Sequence, residues 1–569
     1  MKFKNVERLL LVILLLNSSS IDAQKIDPFH YQQQKKITCS KGAVASANAL
    51  ASKVGIGILQ QGGNAIDAAI ATQLALAVVY PGAGNIGGGG FMVAHLKNGK
   101  NITIDFRETA PSKASRDMYL DEKGNPQMNL SQDGHLAAGI PGTIAGIFRA
   151  LQYATLPFKT LVQPAIKLAE NGFSITANQA NDFNELKKEF LQFNTSPPVF
   201  VKAVTWKTGD TLIQKDLANT LKRIRDLGAK GFYEGITAGL LIAEMARGKG
   251  IINADDLKNY IAKERKAIEF DYQSYQVISM PLPSSGGIIL QQVLKMIEQK
   301  NIRSMKFQSA ASVQLLTEAE RRAFADRAKY LGDADFVKVP VKTLVSDAYL
   351  RERMNDFRPG IAGSSQSTKE GAIKESEETT HLSVIDEAGN AVSITTTLNG
   401  AYGSRTVVSG AGFLLNNEMD DFSVKAGVPN MYGALGAEAN AIAPGKRMLS
   451  SMAPTIVLKN HLPYLVVGTP GGTTIPTSII QSLVNMIDYK MSPEDAVNQP
   501  KFHHQWLPDE IMVENDFPLS TIQQLEAMGY KVVKRGQIGR TELIEIKNGT
   551  TRKITAIADK RGDDSAEGY

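Results

Sequence analysis

Residues 375–384 read ESEETTHLSV, and the change of character inside this stretch decides how the chain is organised. The residues leading into it, GIAGSSQSTKEGAIKESEE (360–378), hold few large apolar side chains, a composition that reads as a loose loop or tail. Immediately after it, HLSVI, the turn DEAGN and AVSITTTL have the alternation and Gly-Asn turn of a β-hairpin. A polar segment therefore meets a core strand at Thr379 and Thr380. A threonine hydroxyl is a poor nucleophile near neutral pH unless a base adjoins it. At a free N-terminus its own α-amine, with a pKa of about 8, can serve. Cleavage at this joint would create that arrangement; otherwise the two threonines merely open a strand.

The rest of the composition is that of a globular protein. The chain has 569 residues, 43% of them hydrophobic and 21% charged, enough to bury a large core. Lys2, Lys4 and Arg8, the apolar run Leu9–Leu16 and the small and polar residues up to Ala23 form the three-part pattern of a secretory signal. Cleavage is expected after Ala23, with export to the periplasm where there is an outer membrane and secretion otherwise. No other apolar run approaches the roughly 18 residues that a membrane helix needs. Cys39 is the only cysteine, which excludes an intrachain disulfide and a cysteine-ligated metal. A net charge of +6 spread over this length is no nucleic-acid footprint.

Residues 43–80 read as two alanine-rich helices, Gly62 and Gly63 ending the first and Asn64 with Asp67 opening the second. GAGNIG (82–87) fits the dinucleotide fingerprint in spacing only, because a hairpin (FMVAHL, KNGK, NITIDF) follows it where a helix would be needed. Residues 140–330 read as mostly helical, with a long amphipathic helix over 313–333. Strands are expected at TIVLKN and LPYLVVGT and helices at 476–488 and in STIQQLEAMGY. The end, 544–569, reads as a strand pair with a polar tail. Helices at both ends of the chain with strands between them predict an α+β fold in which helix layers flank packed sheets.

None of the seven histidines lies in a zinc-hydrolase spacing, and His503-His504, adjacent on a strand, would face opposite ways and so read as structural. No G-x-S-x-G elbow is present.

The stretch TTHLSVIDEAGNAVSITTTLNGAYGSRTVVSGAGFLLNNEMDDFS (379–423) closely resembles the γ-glutamyltranspeptidase, or glutathione hydrolase, family of N-terminal nucleophile hydrolases. So do NIGGGGFM (85–92), DFRETAP (105–111), PGTIAG (141–146), PSSGG (283–287), KRMLSSMAPT (446–455) and GTPGGTTIP (468–476). The resemblance implies a four-layer αββα sandwich and self-cleavage between Glu378 and Thr379. Beyond the signal at 1–23, this yields a large subunit of 24–378 and a small one of 379–569 that stay associated. It implies Thr379 as nucleophile, Thr397 as the hydroxyl supporting it, and Gly471 and Gly472 as the oxyanion hole. Arg107, helped by Ser450 and Ser451, would take the substrate's α-carboxylate, and Asn399, Glu418 and Asp421 its α-ammonium. Tyr432 would sit in a lid loop, 427–447. The expected partners are glutathione and other γ-glutamyl compounds, with amino acids or dipeptides as acceptors, and no cofactor or metal is called for. Two rivals are a cephalosporin-acylase-like amidase on the same scaffold and a non-cleaving exported binding protein.

Overall fold

The computed structural model describes residues 26–368, 379–431, 433 and 435–569. The expected signal segment, Glu378 and Tyr432 lie outside the described residues. Two seven-stranded sheets form the centre. The first runs in the order Ser565–Gly568, Ala43–Ser46, Thr380–Ile385, Ala391–Thr397, Gly89–His95, Asn101–Asp105, Lys263–Arg265. The second runs Lys36–Cys39, Lys553–Ala558, Glu542–Lys547, Leu462–Gly468, Thr455–Lys459, Tyr275–Ser279, Ile268–Tyr272. Each neighbouring pair in both sheets is antiparallel.

The sheets pack face to face. Helices Ala49–Gln60 and Ala65–Val79 cover the outer face of the first, and Gly286–Gln299, Ala310–Tyr330 and Thr474–Ile487 cover the second. This is the expected α+β sandwich of four layers. The expected hairpin is present, Thr380 lying opposite Thr396 and Ile385 opposite Ala391. Thr379 therefore enters an interior strand, held on one side by Ala391–Thr397 and on the other by Ala43–Ser46. Both faces of Thr380–Ile385 are covered, so every residue in it is buried.

Three expectations need correction. Residues 43–46 are a strand and the first helix starts only at Ala49, because AVAS fills the gap between Thr380–Ile385 and the C-terminal strand. The mainly helical region contains five strands, of which Lys263–Arg265, Ile268–Tyr272 and Tyr275–Ser279 extend the two central sheets, while Phe173–Ser174 and Thr211–Leu212 pair with each other. The polar tail ends as a strand, Ser565–Gly568, recruited by pairing with Ala43–Ser46. His503 and His504 are both buried. Asn64 and Asp67 do cap their helix reciprocally: Asp67 Oδ2 accepts from the Asn64 N–H at 2.8 Å. The glycine run at 87–90 serves close packing: a Cβ on Gly88 would lie 2.1 Å from the Thr397 carbonyl oxygen.

Candidate active site

One pocket between the ends of the two sheets is lined by Thr379, Thr397, Asn399, Arg107, Asp421, Ser450, Ser451 and Gly472. These come from six separate segments. Thr379 immediately precedes its strand and is 4% exposed, while Thr397 ends the partner strand of the same hairpin. Side chains alternate along a strand, so Thr380 faces away from the pocket, and its Oγ1 is buried. The geometry thus separates two threonines that the local pattern treats alike.

Thr397 Oγ1 accepts a hydrogen bond from the backbone N–H of Asn399 at 2.7 Å. Asn399 sits at φ 77°, and its Nδ2 donates to the Asn417 carbonyl at 3.0 Å. Gly471 and Gly472 have φ 135° and 53°, the first open in practice to glycine alone. Helix Thr474–Ile487 begins directly after them, its first turn fastened by the Thr474 N–H and hydroxyl on the Gly471 carbonyl at 2.9 and 2.8 Å. The positive end of that helix therefore points at the glycine loop, where an oxyanion would be stabilised.

The opposite wall is ionic. Arg107 is buried, with Nη1 2.5 Å from Glu418 Oε2 and 3.5 Å from Glu108 Oε2, and Nη2 donates to Asp421 Oδ2. Burial works against the guanidinium's charge, but the surrounding carboxylates outweigh it and hold Arg107 above its ordinary value. Burial raises the carboxyls of Glu418 and Asp421 and pushes Glu108 up to about 8. Asp420, against Ser131, is pushed up to about 7 by burial. Arg107 and the acids, expected at opposite ends of a ligand, also pair with each other, because a buried guanidinium without a counter-charge is costly.

The serines are held by PSSGG. The Ser285 N–H and hydroxyl both donate to the Ser450 carbonyl at 2.8 Å, and the Ser450 N–H donates to the Pro283 carbonyl at 2.9 Å. Ser450 Oγ accepts from the Met452 N–H at 3.1 Å.

Three polar pocket residues are not among the sequence-read candidates: Arg327, Asn430 and Thr473. Arg327, in the last turn of helix Ala310–Tyr330, reaches Ser451 Oγ at 3.3 Å and Ser285 Oγ at 3.1 Å. Asn430 Nδ2 donates to Asp421 Oδ1 at 2.7 Å. Thr473 donates to Gln505 Oε1, which His503 Nε2 also meets at 2.8 Å. Thr473 lies inside a stretch already singled out. Asn430 lies within the expected lid loop, 427–447, whereas Arg327 carries no local signal, because what lies beyond the end of its helix is set by tertiary packing. Asn430 lines the pocket, and the neighbouring Met431 Sδ lies 3.6 Å from Asn399 Nδ2. Gly471 and Glu418 stand just behind the lining.

The sequence profile described as Gamma-glutamyltranspeptidase matches residues 51–569. The chain belongs to that family. Among its relatives, the transpeptidase-family protein described as glutathione hydrolase proenzyme from Escherichia coli (strain K12) is 46% identical over 553 residues, covering 95% of this chain and 93% of the relative. Among solved structures, a cephalosporin acylase from Bacillus halodurans superposes with a TM-score of 0.81 at 26% identity, covering 96% of this chain and all of that one. A γ-glutamyltranspeptidase from Helicobacter pylori superposes with a TM-score of 0.56 at 44% identity, covering 61% of this chain and 97% of that one.

Proposed function

We propose that this transpeptidase-family chain is an exported, self-cleaving γ-glutamyltransferase and glutathione hydrolase. The observation that carries the reading is the meeting, in one pocket, of Thr379 with a buried Arg107–Asp421 ion pair. A γ-glutamyl group is a zwitterion at one end and an amide at the other. Its α-carboxylate would turn to Arg107 with Ser450 and Ser451, and its α-ammonium to Asp421, Glu418 and Asn399, replacing one buried ion pair by two. Tyr432 would close the lid over it.

Processing comes first. Thr379 Oγ attacks the Glu378 carbonyl, the peptide bond is exchanged for an ester with release of the Thr379 amine, and water hydrolyses that ester to give the Glu378 carboxylate and the free Thr379 hydroxyl. Subunits 24–378 and 379–569 remain joined through the shared first sheet, whose strands come from both. The 61% of this chain matched by one polypeptide of the Helicobacter pylori structure is close to the share taken by 24–378, which supports the division. The signal at 1–23 would direct the precursor to the periplasm or out of the cell.

In turnover, Thr379 Oγ attacks the γ-carbonyl while its own amine takes the proton. The Gly471 and Gly472 amides would stabilise the oxyanion, the amine product leaves, and water or an amino acid or dipeptide takes the acyl group from Thr379. The likeness to an acylase concerns the scaffold. A buried cation ringed by carboxyls is a poor surface for an uncharged acyl chain, which favours the γ-glutamyl reading.

Denaturing electrophoresis with N-terminal sequencing tests the processing: the smaller fragment should begin at Thr379. Release of p-nitroaniline from a γ-glutamyl anilide should vanish in Thr379→Ala. An intact chain, or activity surviving that substitution, would remove the mechanism.

A further inference from the structure

The loop 469–473 is tied at both ends to other parts of the fold. At its start Thr469 Oγ1 accepts from the Arg540 backbone N–H at 2.8 Å, and at its end the Thr473 hydroxyl donates to Gln505 Oε1. Between these anchors the Gly471 carbonyl is held by Thr474, and the Gly472 carbonyl accepts from the Ile475 N–H at 3.3 Å. A peptide is planar and trans, so a Gly471 carbonyl fixed on the helix directs the Gly472 N–H away from it, and Gly472 lines the nucleophile pocket. The glycine peptides are therefore aimed by the first turn of helix Thr474–Ile487. Thr473 is the N-cap of that helix yet makes no side-chain bond to the helix amides, where a threonine in this position commonly does. Its hydroxyl turns outward to Gln505 instead.

Thr473, Thr477 and Gln481 recur every four residues and so share one helix face. KFHHQW (501–506) runs along that face in the opposite direction. Gln481 holds the Phe502 backbone, its Oε1 accepting from the N–H at 3.2 Å and its Nε2 donating to the carbonyl at 2.6 Å. Thr477 Oγ1 lies 2.8 Å from His503 Nδ1, and Thr473 meets Gln505. All six residues are buried. The Gln505 amide is oriented from both ends: Nε2 donates to the Leu507 carbonyl at 3.3 Å, and Oε1, which can only accept, also meets His503 Nε2 at 2.8 Å. His503 therefore carries its hydrogen on Nε2. Burial pushes this ring down to about 3, so it stays neutral and leaves Nδ1 to accept from Thr477. The edge of the Phe324 ring, 5.7 Å away, and the pairing of His503 with Met512 hold the histidine in place. Apolar side chains would pack this buried face at lower cost. Polar ones, once fully paired, select a single arrangement.

We propose that Gln505, oriented by His503, is a positioning residue for the oxyanion: through the Thr473 hydroxyl it fixes where the Gly471 and Gly472 peptides point. The proposal rests on the γ-glutamyl reading above, in which these amides meet the oxyanion. Formation and breakdown of the acyl-threonine both pass through such an oxyanion, whereas the bound substrate does not carry one. A loosened loop thus lowers kcat and leaves KM nearly unchanged.

The test uses processed protein, confirmed by fragment sizes on a gel, with γ-glutamyl-p-nitroanilide as substrate. Gln505→Met keeps the length of the side chain but offers no carbonyl oxygen, and should lower kcat about tenfold, the size of one lost hydrogen bond, with KM within about twofold. Gln505→Glu keeps an oxygen for both donors and should recover most of kcat. Thr473→Val should match the loss in Gln505→Met, and the double variant should fall no further, because both substitutions cut the same bond. A wild-type kcat in Gln505→Met, a KM that rises as kcat falls, or losses that multiply to about a hundredfold in the double variant would overturn the assignment. Should Gln505→Met fail to process, Thr473→Val and Thr473→Ser decide it: the valine variant must lose kcat and the serine variant regain it, and a valine variant with wild-type kcat overturns the assignment. A wild type that releases no p-nitroaniline would instead sink the γ-glutamyl reading itself.

Discussion

The backbone N–H of Asn399 donates to Thr397 Oγ1 at 2.7 Å, from a residue held at φ 77°. A non-glycine residue in that region costs on the order of 1 kcal/mol and persists where its surroundings fix it. Here the fixing contact is the bond from Asn399 Nδ2 to the Asn417 carbonyl. A hydroxyl oxygen that accepts from Asn399 directs its own hydrogen elsewhere, and the pocket it shares with Thr379 is where such a proton is useful. Thr397→Ala should therefore slow both precursor cleavage and turnover, by about 100-fold, while Thr397→Ser keeps most of each. A gel time course of purified precursor and kcat on a γ-glutamyl anilide check this. Cleavage at the wild-type rate in the alanine variant would assign Thr397 a packing role only.

Arg107 supports the fold as well as the site. Removing its charge strands Glu418 and Asp421 as buried acids beside Glu108. Arg107→Met should cost about 3–5 kcal/mol of stability, as breaking one side of a buried ion pair does. Arg107→Lys keeps a charge but not the fork, so it should hold most of the stability and raise KM for a γ-glutamyl anilide about tenfold. Thermal unfolding and steady-state kinetics on the two variants separate these effects. A lysine variant with wild-type KM would take the carboxylate away from Arg107.

The two loops at 397–402 and 469–473 show what the sequence makes legible and what it does not. TTTLN and GTPGG stand out as stretches, and their placement beside Thr379 follows once the hairpin and the Leu462–Gly468 strand are recognised. The strands Ala43–Ser46 and Ser565–Gly568 were missed for a physical reason. Both are short, small-residue segments that become strands by pairing with each other, Ser46 opposite Ser565, across the whole length of the chain. Arg327 was missed because a helical pattern reports which face is buried and not which loop meets its last turn.

Gly471 and Gly472 differ in how much they depend on being glycine. At φ 135° Gly471 occupies backbone space closed to other residues, whereas φ 53° at Gly472 is ordinary left-handed helix. Gly471→Ala should move the peptide that would meet the oxyanion and lower kcat by about 10² to 10³, with KM little changed. Gly472→Ala should cost less. Kinetics of the processed variants, with fragment sizes confirmed on a gel, test the order. The reverse order would mean that the Gly471 peptide is not the one that faces the oxyanion.

His381 ties stability to pH. It is buried two residues beyond Thr379, with Nδ1 2.9 Å from Thr395 Oγ1 and Nε2 3.0 Å from Ser383 Oγ, and burial lowers it from 6.5 to about 3. The folded chain therefore keeps this ring neutral while the unfolded chain protonates it below pH 6.5. Its contribution is fully present above that pH and is lost as pH falls toward 3, at about 1.4 kcal/mol per pH unit. His381→Gln removes the titration while keeping polar atoms for the two hydroxyls. Denaturant unfolding at pH 7 and pH 5 should show the wild type losing about 2 kcal/mol more than the variant over that interval. Parallel losses would mean that His381 is protonated in the folded protein and that its burial is not what sets its charge.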